Sequence, residues 1–298
     1  MEEKKIKERY MPPLSTKDIK KTEDILEENG LFTIEIPKTN LSNLVAPQKT
    51  MEQIRSLLTK VKYYDLLYNK FGLKEIDRTG GRTLINLYGP PGTGKSFAAE
   101  AIANELGKKI IKANYAEIES KFVGETPKNI KEIFKIAKKE DAIVLFDEAD
   151  SILGKRLSSV KQSTDHAVNV SKSVMLLEMD NFDGIMIFTT NFGENYDAAF
   201  VRRIIGHIEF DLPDTDNRKQ IFLNLIPQKL PVDITDDEID VLMEMAEGLA
   251  GGDLVNVVLY ASSSAVERDG ENCKVTFSDF EKACILIKKA KNDIGINK

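Results

Sequence analysis

A doubly wound α/β domain with a parallel sheet, followed by a small all-α domain, is the fold that the 298-residue sequence predicts. Three observations carry it. Gly89-Pro90-Pro91-Gly92-Thr93-Gly94-Lys95-Ser96 matches G-x-x-x-x-G-K-[ST], with the apolar run Leu84-Ile85-Asn86-Leu87-Tyr88 before it and a helical stretch from Phe97 to Glu105 after it. That strand, loop, helix order is what a phosphate-binding loop requires, so the α/β domain reads as a P-loop NTPase. Short apolar runs at Lys109 to Ala113, Ala142 to Phe146, Ile185 to Thr190 and Ile208 to Phe210 alternate with helical stretches such as Ile130 to Lys138. Such alternation suits a parallel sheet covered on both faces. After Asp211-Leu212-Pro213-Asp214 only helical patterns remain.

Taken in order, residues 1–40 are charge-rich, with one weak helical candidate from about Asp18 to Glu28 carrying Ile19, Ile25 and Leu26. This is too little for a domain and reads as an arm or linker, a docking helix or a partner-binding segment. The large domain is expected over 41–211. Thr50-x-x-Gln53 resembles a capping box opening a helix with Met51, Ile54, Leu57, Leu58 and Val61 at helical spacing, running to about Tyr68. A turn-rich loop, Asp77 to Arg82, then feeds the strand before Gly89. Over 212–298 the helical candidates are Arg218 to Leu225, Asp236 to Glu247, Asp253 to Val266 and Phe277 to Lys289. Thr235-x-x-Glu238 is a capping box, Thr276-x-x-Asp279 a related signal, and Gly248 a helix C-terminal glycine.

Composition narrows the chemistry. A net charge of −6 argues against a general binder of nucleic acid or anionic membrane. Cys273 and Cys284 lack metal-like spacing and read as thiols of a reducing cytosol, while His166 and His207 lie far apart without companions. No signal-peptide pattern and no run of about eighteen apolar residues occurs, so a soluble, cytoplasmic chain with no membrane span is expected.

In the phosphate loop, backbone N–H groups of Gly92 to Ser96 would converge on phosphates at a helix N-terminus. Lys95 would reach the β- and γ-phosphates of a nucleotide and Ser96 would take one Mg²⁺ position. Gly89, Pro90, Pro91, Thr93, Gly94 and Phe97 complete the candidate nucleotide contacts. Ile143-Val144-Leu145-Phe146-Asp147-Glu148 is an apolar strand ending in two carboxylates, at the strand end where open α/β sheets bind ligands. Asp147 would help hold Mg²⁺ and Glu148 would polarise the attacking water.

With these motifs in this order, the chain over roughly 44–290 resembles the AAA ATPases, the AAA+ branch that includes katanin, spastin and the membrane-anchored metalloprotease unfoldases. The resemblance implies ATP and Mg²⁺ as ligands and a large AAA+ domain with a helical lid. It implies a polar sensor at Asn191, within Thr189-Thr190-Asn191. Asp197-Ala198-Ala199-Phe200-Val201-Arg202-Arg203 resembles the segment that presents arginine fingers, here Arg202 and Arg203, to a neighbouring subunit. A homo-oligomeric ring, a hexamer as in the family, follows from fingers acting in trans. Gly248-Leu249-Ala250-Gly251-Gly252-Asp253 resembles the place where the lid meets the nucleotide through Gly251 and Gly252, and Leu44-Val45-Ala46 the stretch that meets adenine, with Val45 at its centre. Ser120-Lys121-Phe122-Val123-Gly124-Glu125-Thr126 resembles the pore loop that grips a polypeptide, with Lys121, Phe122, Val123 and Gly124 as its contacts; a loop whose Phe122 packs into the core is the other reading.

Two departures stand out. Asn169-Val170-Ser171 occupies a helix where relatives carry basic residues, and Arg203 is followed by Ile204-Ile205-Gly206-His207 without a further arginine. The expectation is an ATP-driven ring that remodels, unfolds or disassembles a protein substrate. The alternative is a nucleotide-switched assembly or loading factor acting on a protein or nucleic-acid complex.

Overall fold

The computed structural model describes residues 25–28, 31–77, 82–115, 118, 125–155, 163–191 and 196–294. Its seven-stranded sheet has the order β1-β2-β4-β5-β6-β3-β7. The chain enters at β1 (Ile25–Glu28) and β2 (Thr33–Glu35), an antiparallel pair, and β2 lies antiparallel to Ile110–Lys112. Residues 25–28, expected as the end of a helix, are therefore strand, and residues 18–24 lie outside the described residues. Burial decides it: Phe32 and Ile34 join the core under the sheet, and tertiary pairing overrides a weak helical pattern. Residues 25–28 and 33–35 of the expected arm are thus part of the sheet.

Helix α1 (Gln48–Lys62) begins after Pro47 rather than at Thr50. Thr50 is buried inside the helix and its hydroxyl donates to the Glu209 carbonyl at 3.0 Å, so it answers a distant strand instead of capping. A π-helical stretch, Asp65–Lys70, continues it. The expected loop from Asp77 to Arg82 falls largely on 78–81, outside the described residues.

The alternating part follows as β3 (Thr83–Tyr88), α2 (Lys95–Glu105), β4 (Ile110–Asn114), α3 (Thr126–Glu140), β5 (Ile143–Asp147), α4 (Asp150–Leu153), α5 (Ser163–Asn181), β6 (Ile185–Thr190), α6 (Ala198–Val201) and β7 (Gly206–Glu209). β4, β5, β6, β3 and β7 are mutually parallel. Because β3 lies between β6 and β7, the chain leaving it must pass over two strands to reach β4. That crossing opens a crevice at the carboxyl ends of β3, β5 and β6. One face of the sheet packs Val144, Phe146 and Phe188 on Phe134, Met175 and Phe182. The other packs Ile85, Leu87 and Ile187 on Ile54, Leu58 and Ile102. Strands buried on both faces explain the continuous apolar runs.

The C-terminal unit comprises α7 (Thr215–Leu225), β8 (Val232–Asp233), α8 (Asp236–Met245), α9 (Gly251–Asp269), β9 (Val275–Thr276) and α10 (Phe277–Asp293). It is helical as expected, with one addition: β8 and β9 form a parallel pair of two residues each, too short to show in a sequence pattern. Its own core gathers Phe222, Leu242, Leu254, Val257 and Phe280. Thr235 and Glu238 form the capping box of α8, and the Thr276 N–H donates to the Asp279 carboxylate at 2.9 Å. Both cysteines are buried free thiols.

Candidate nucleotide-binding and hydrolytic site

The loop between β3 and α2 is shaped by its glycines. A Cβ on Gly89 would stand 2.0 Å from the Phe210 carbonyl oxygen, and Gly94 adopts φ 97° at the N-cap of α2, a conformation costly for residues with a Cβ. No side chain caps α2, which leaves its first N–H groups facing the crevice as an anion site. Lys95 is 7% exposed, and its Nζ donates to the carbonyls of Gly89 at 2.7 Å and Pro90 at 2.8 Å. Burial lowers its pKa, against the opposing pull of Asp147 and Asp150. The ammonium is thus held in the loop by neutral acceptors.

The Ser96 hydroxyl donates to the Asp147 carboxylate at 3.1 and 3.2 Å. These are two hard oxygen donors. No group of three or more His, Cys, Asp or Glu side chains among the described residues could hold a metal by itself. Mg²⁺ suits this arrangement, because it is commonly held by one or two protein oxygens, substrate phosphates and water. Thr189 donates its hydroxyl to Asp147 and accepts the Glu148 N–H at 3.3 Å, bracing the acidic pair from β6. Glu148 stands at φ 54° in the left-handed region, and Asn114, at the end of β4, donates to its carboxylate at 3.3 Å. The Asn191 N–H donates to Asp150 at 3.1 Å. Lys95, Ser96, Phe97, Asp147, Glu148 and Asn191 share one cavity of about 360 Å³.

A second cavity, of about 450 Å³, adjoins it and is lined by Val45, Phe97, Ile221, Leu225, Gly251 and Gly252. Apolar walls with a phosphate loop at one end suit a base and sugar. The Gly252 N–H donates to the Gly92 carbonyl at 2.9 Å, and a Cβ on Gly252 would meet Gly92 Cα at 3.4 Å. The helical unit therefore touches the phosphate loop backbone to backbone.

The arginines behave differently from one another. Arg202 is exposed. Arg203 grips Asp180 in two parallel hydrogen bonds, at 2.9 and 2.7 Å, and donates to the Ala199 carbonyl at 2.8 Å. Arg82 reaches the same carboxylate at 3.0 Å. The Arg203 hydrogen bond holds Asp180 below the usual carboxylate range. Lys121, Phe122, Val123 and Gly124 lie outside the described residues. Sequence reasoning missed Asn114, Thr189 and Asp150 as participants; their position at, or within three residues of, the carboxyl ends of strands was the available signal.

Residues 85–212 match a family described as "ATPase family associated with various cellular activities (AAA)". The chain is 35% identical over 215 residues to the proteasome-activating nucleotidase of Saccharolobus solfataricus, covering 70% of this chain and 53% of that protein. It is 33% identical over 293 residues to Protein SAV of Sulfolobus acidocaldarius, covering 95% of this chain and 35% of that one. The chain spans about half the length of the nucleotidases it matches. In fold it resembles the crystal structure of the FIGL-1 AAA domain, with a TM-score of 0.70 at 19% identity, covering 89% of this chain and 92% of that one. The same domain in complex with ADP gives 0.70 at 20% identity, covering 88% of each chain.

Proposed function

Because residues 85–212 form a domain of the AAA ATPase family, we propose that this protein binds ATP with Mg²⁺, hydrolyses it, and spends the cycle on remodelling, unfolding or disassembling a protein substrate. The observation that carries the reading is the single cavity shared by Lys95, Ser96, Asp147, Glu148 and Asn191, with a lid glycine bonded to the loop beside it. In this reading the first turn of α2 binds the phosphates. Lys95 exchanges its two loop carbonyls for phosphate oxygens, which favours its charged form. Ser96 and Asp147 are the protein oxygens that would hold Mg²⁺, and the bound ion would neutralise phosphate charge. Glu148 orients a water and accepts its proton as the water oxygen bonds to the γ-phosphorus and the bond from that phosphorus to the leaving oxygen breaks, releasing ADP and phosphate. Asn191 steadies that water or the γ-phosphate. Arg202, which is exposed, would complete a neighbour's site, and this makes a homo-oligomeric ring, a hexamer in this proposal, the working form. Relatives named as proteasome-activating nucleotidases support a protein as the substrate, and the segment around Phe122 is the proposed grip on it.

The test is Glu148→Gln. ATP binding should persist while phosphate release falls below detection, and the arrested protein with ATP should retain its client in a pull-down. Wild-type turnover in that variant would remove Glu148 from the mechanism. Recovery of a nucleic acid instead of a protein would favour a loading factor.

A further inference from the structure

Asn86 sits mid-strand in β3, fully buried, opposite Phe188 of β6 on one side and His207 of β7 on the other. A buried amide costs free energy unless its donor and acceptor are both answered. Here they are. Asn86 Nδ2 donates to the Tyr196 hydroxyl at 3.2 Å, and its Oδ1 accepts from the Thr190 hydroxyl at 3.4 Å. The two hydroxyls lie 2.6 Å apart. The Tyr196 ring lies over His207, with centroids 6.4 Å apart and planes at 23°. Three polar side chains from separate segments thus close on one another in a layer otherwise built of Leu84, Phe188 and Phe200.

The segments lead to the site. Three residues after Asn86 comes Gly89, whose N–H donates to the Thr190 carbonyl at 3.2 Å. Asn191 follows Thr190 directly. Tyr196 precedes Asp197, whose carboxylate accepts the Ala199 N–H at 2.8 Å and opens the turn that ends at Arg202. Tyr196 also bridges to Gly154, and the Asp197 N–H donates to the Leu153 carbonyl at 2.8 Å. Packing alone would fill this space with aliphatic side chains. Hydrogen bonds add direction, which fixes depth and rotation where contact does not.

We propose that Asn86, Thr190 and Tyr196 are positioning residues, a buried polar network that holds Asn191 and Arg202 in register with the phosphate loop. The inference rests on the ATPase reading for the roles of Asn191 and Arg202. Tyr196 is the decisive member because only its segment reaches the arginine.

Two variants of the full chain separate positioning from core filling. Tyr196→Phe leaves the Asn86 amide without its hydroxyl acceptor, while Asn86→Leu/Thr190→Val/Tyr196→Phe removes every hydrogen-bonding group of the network together. Steady-state ATP turnover and thermal midpoint are measured on both. Tyr196→Phe should lose about tenfold in kcat with KM for ATP within about twofold, since small displacements of positioned groups cost rate before binding. Its midpoint should also drop. The triple variant should regain the midpoint and keep the low kcat. Recovery of kcat along with the midpoint, or wild-type kcat in Tyr196→Phe, would overturn the proposal. If wild-type protein hydrolyses no ATP, the ATPase reading fails separately. Amide exchange over 196–202 then decides: acceleration in both variants supports the network and unchanged exchange refutes it.

Discussion

Glu148 and Asp141 are the two non-glycine residues with left-handed backbone among the described residues. Such a conformation costs about 1–3 kcal/mol, and at Glu148 it is offset by the N–H bond to Thr189 and by Asn114 on the carboxylate. Glu148→Gly should therefore leave thermal stability within about 1 kcal/mol of wild type, because relief of strain opposes the added chain entropy. Phosphate release should nonetheless vanish. The two arginines should separate in the same assays. Arg202→Ala, at an exposed position, should change stability by less than about 0.5 kcal/mol while lowering turnover by about 10³. Arg203→Ala should cost stability by about 1 kcal/mol, a modest figure because its Asp180 partner is partly exposed and screened. That cost depends on pH. Asp180 has a depressed pKa in the folded chain, so its contribution is present above the unfolded Asp value of about 3.9 and fades as pH falls through the lower folded one. Melts of wild type and Arg203→Ala should therefore begin to draw together only as pH falls below about 4. Sequence alone nominated Lys95 and Ser96 by a fixed local spacing and Asp147 and Glu148 by their place at the end of an apolar run, four residues that the fold brings to one cavity. It left Asn114 and Thr189 hidden, because a lone polar residue near a strand end reads as a turn former until the fold brings β4, β5 and β6 side by side.

Elements were legible in proportion to how local their causes are. The boxes at Thr235 and Thr276 close within four residues and were readable. Thr50 looked the same and was not, since its hydroxyl serves Glu209 across the domain. β2, β8 and β9, at two or three residues each, are shorter than any alternation can reveal. The join between α9 and the phosphate loop offers an element-scale test. Gly252→Pro removes the N–H that Gly92 accepts and aims the ring Cδ at the same carbonyl oxygen, so the two units are pushed apart there, yet proline is tolerated in the first turn of a helix. Circular dichroism of the helical unit should be unchanged. Nucleotide affinity should weaken by about tenfold or more, since a well-made hydrogen bond is lost and a clash is added, and equal affinity would show the contact to be incidental.

At the scale of the whole molecule, two separate cores meet at a nucleotide-sized gap. A ligand touching both sides should stabilise them together. Saturation with ATP and Mg²⁺ at about a hundred times Kd should add about 2.7 kcal/mol and merge any separate melting steps of the two units into one. Addition of nucleotide without such a gain would mean that the gap is not where ATP binds. Among the described residues no helix is long and apolar enough to cross a membrane. The pair β1–β2 has a practical consequence of another kind. β4 would otherwise be an edge, five residues including Ile110, Ile111 and Ala113, and β2 occupies its free hydrogen-bonding groups. Bare edges of that sort invite pairing between molecules. A fragment cut at residue 41, where composition places the domain start, would shed both strands along with Phe32 and Ile34. It should express into insoluble material, whereas one beginning before Ile25 should stay in solution, so the shortest workable recombinant protein is set by a hairpin that composition assigns to the arm.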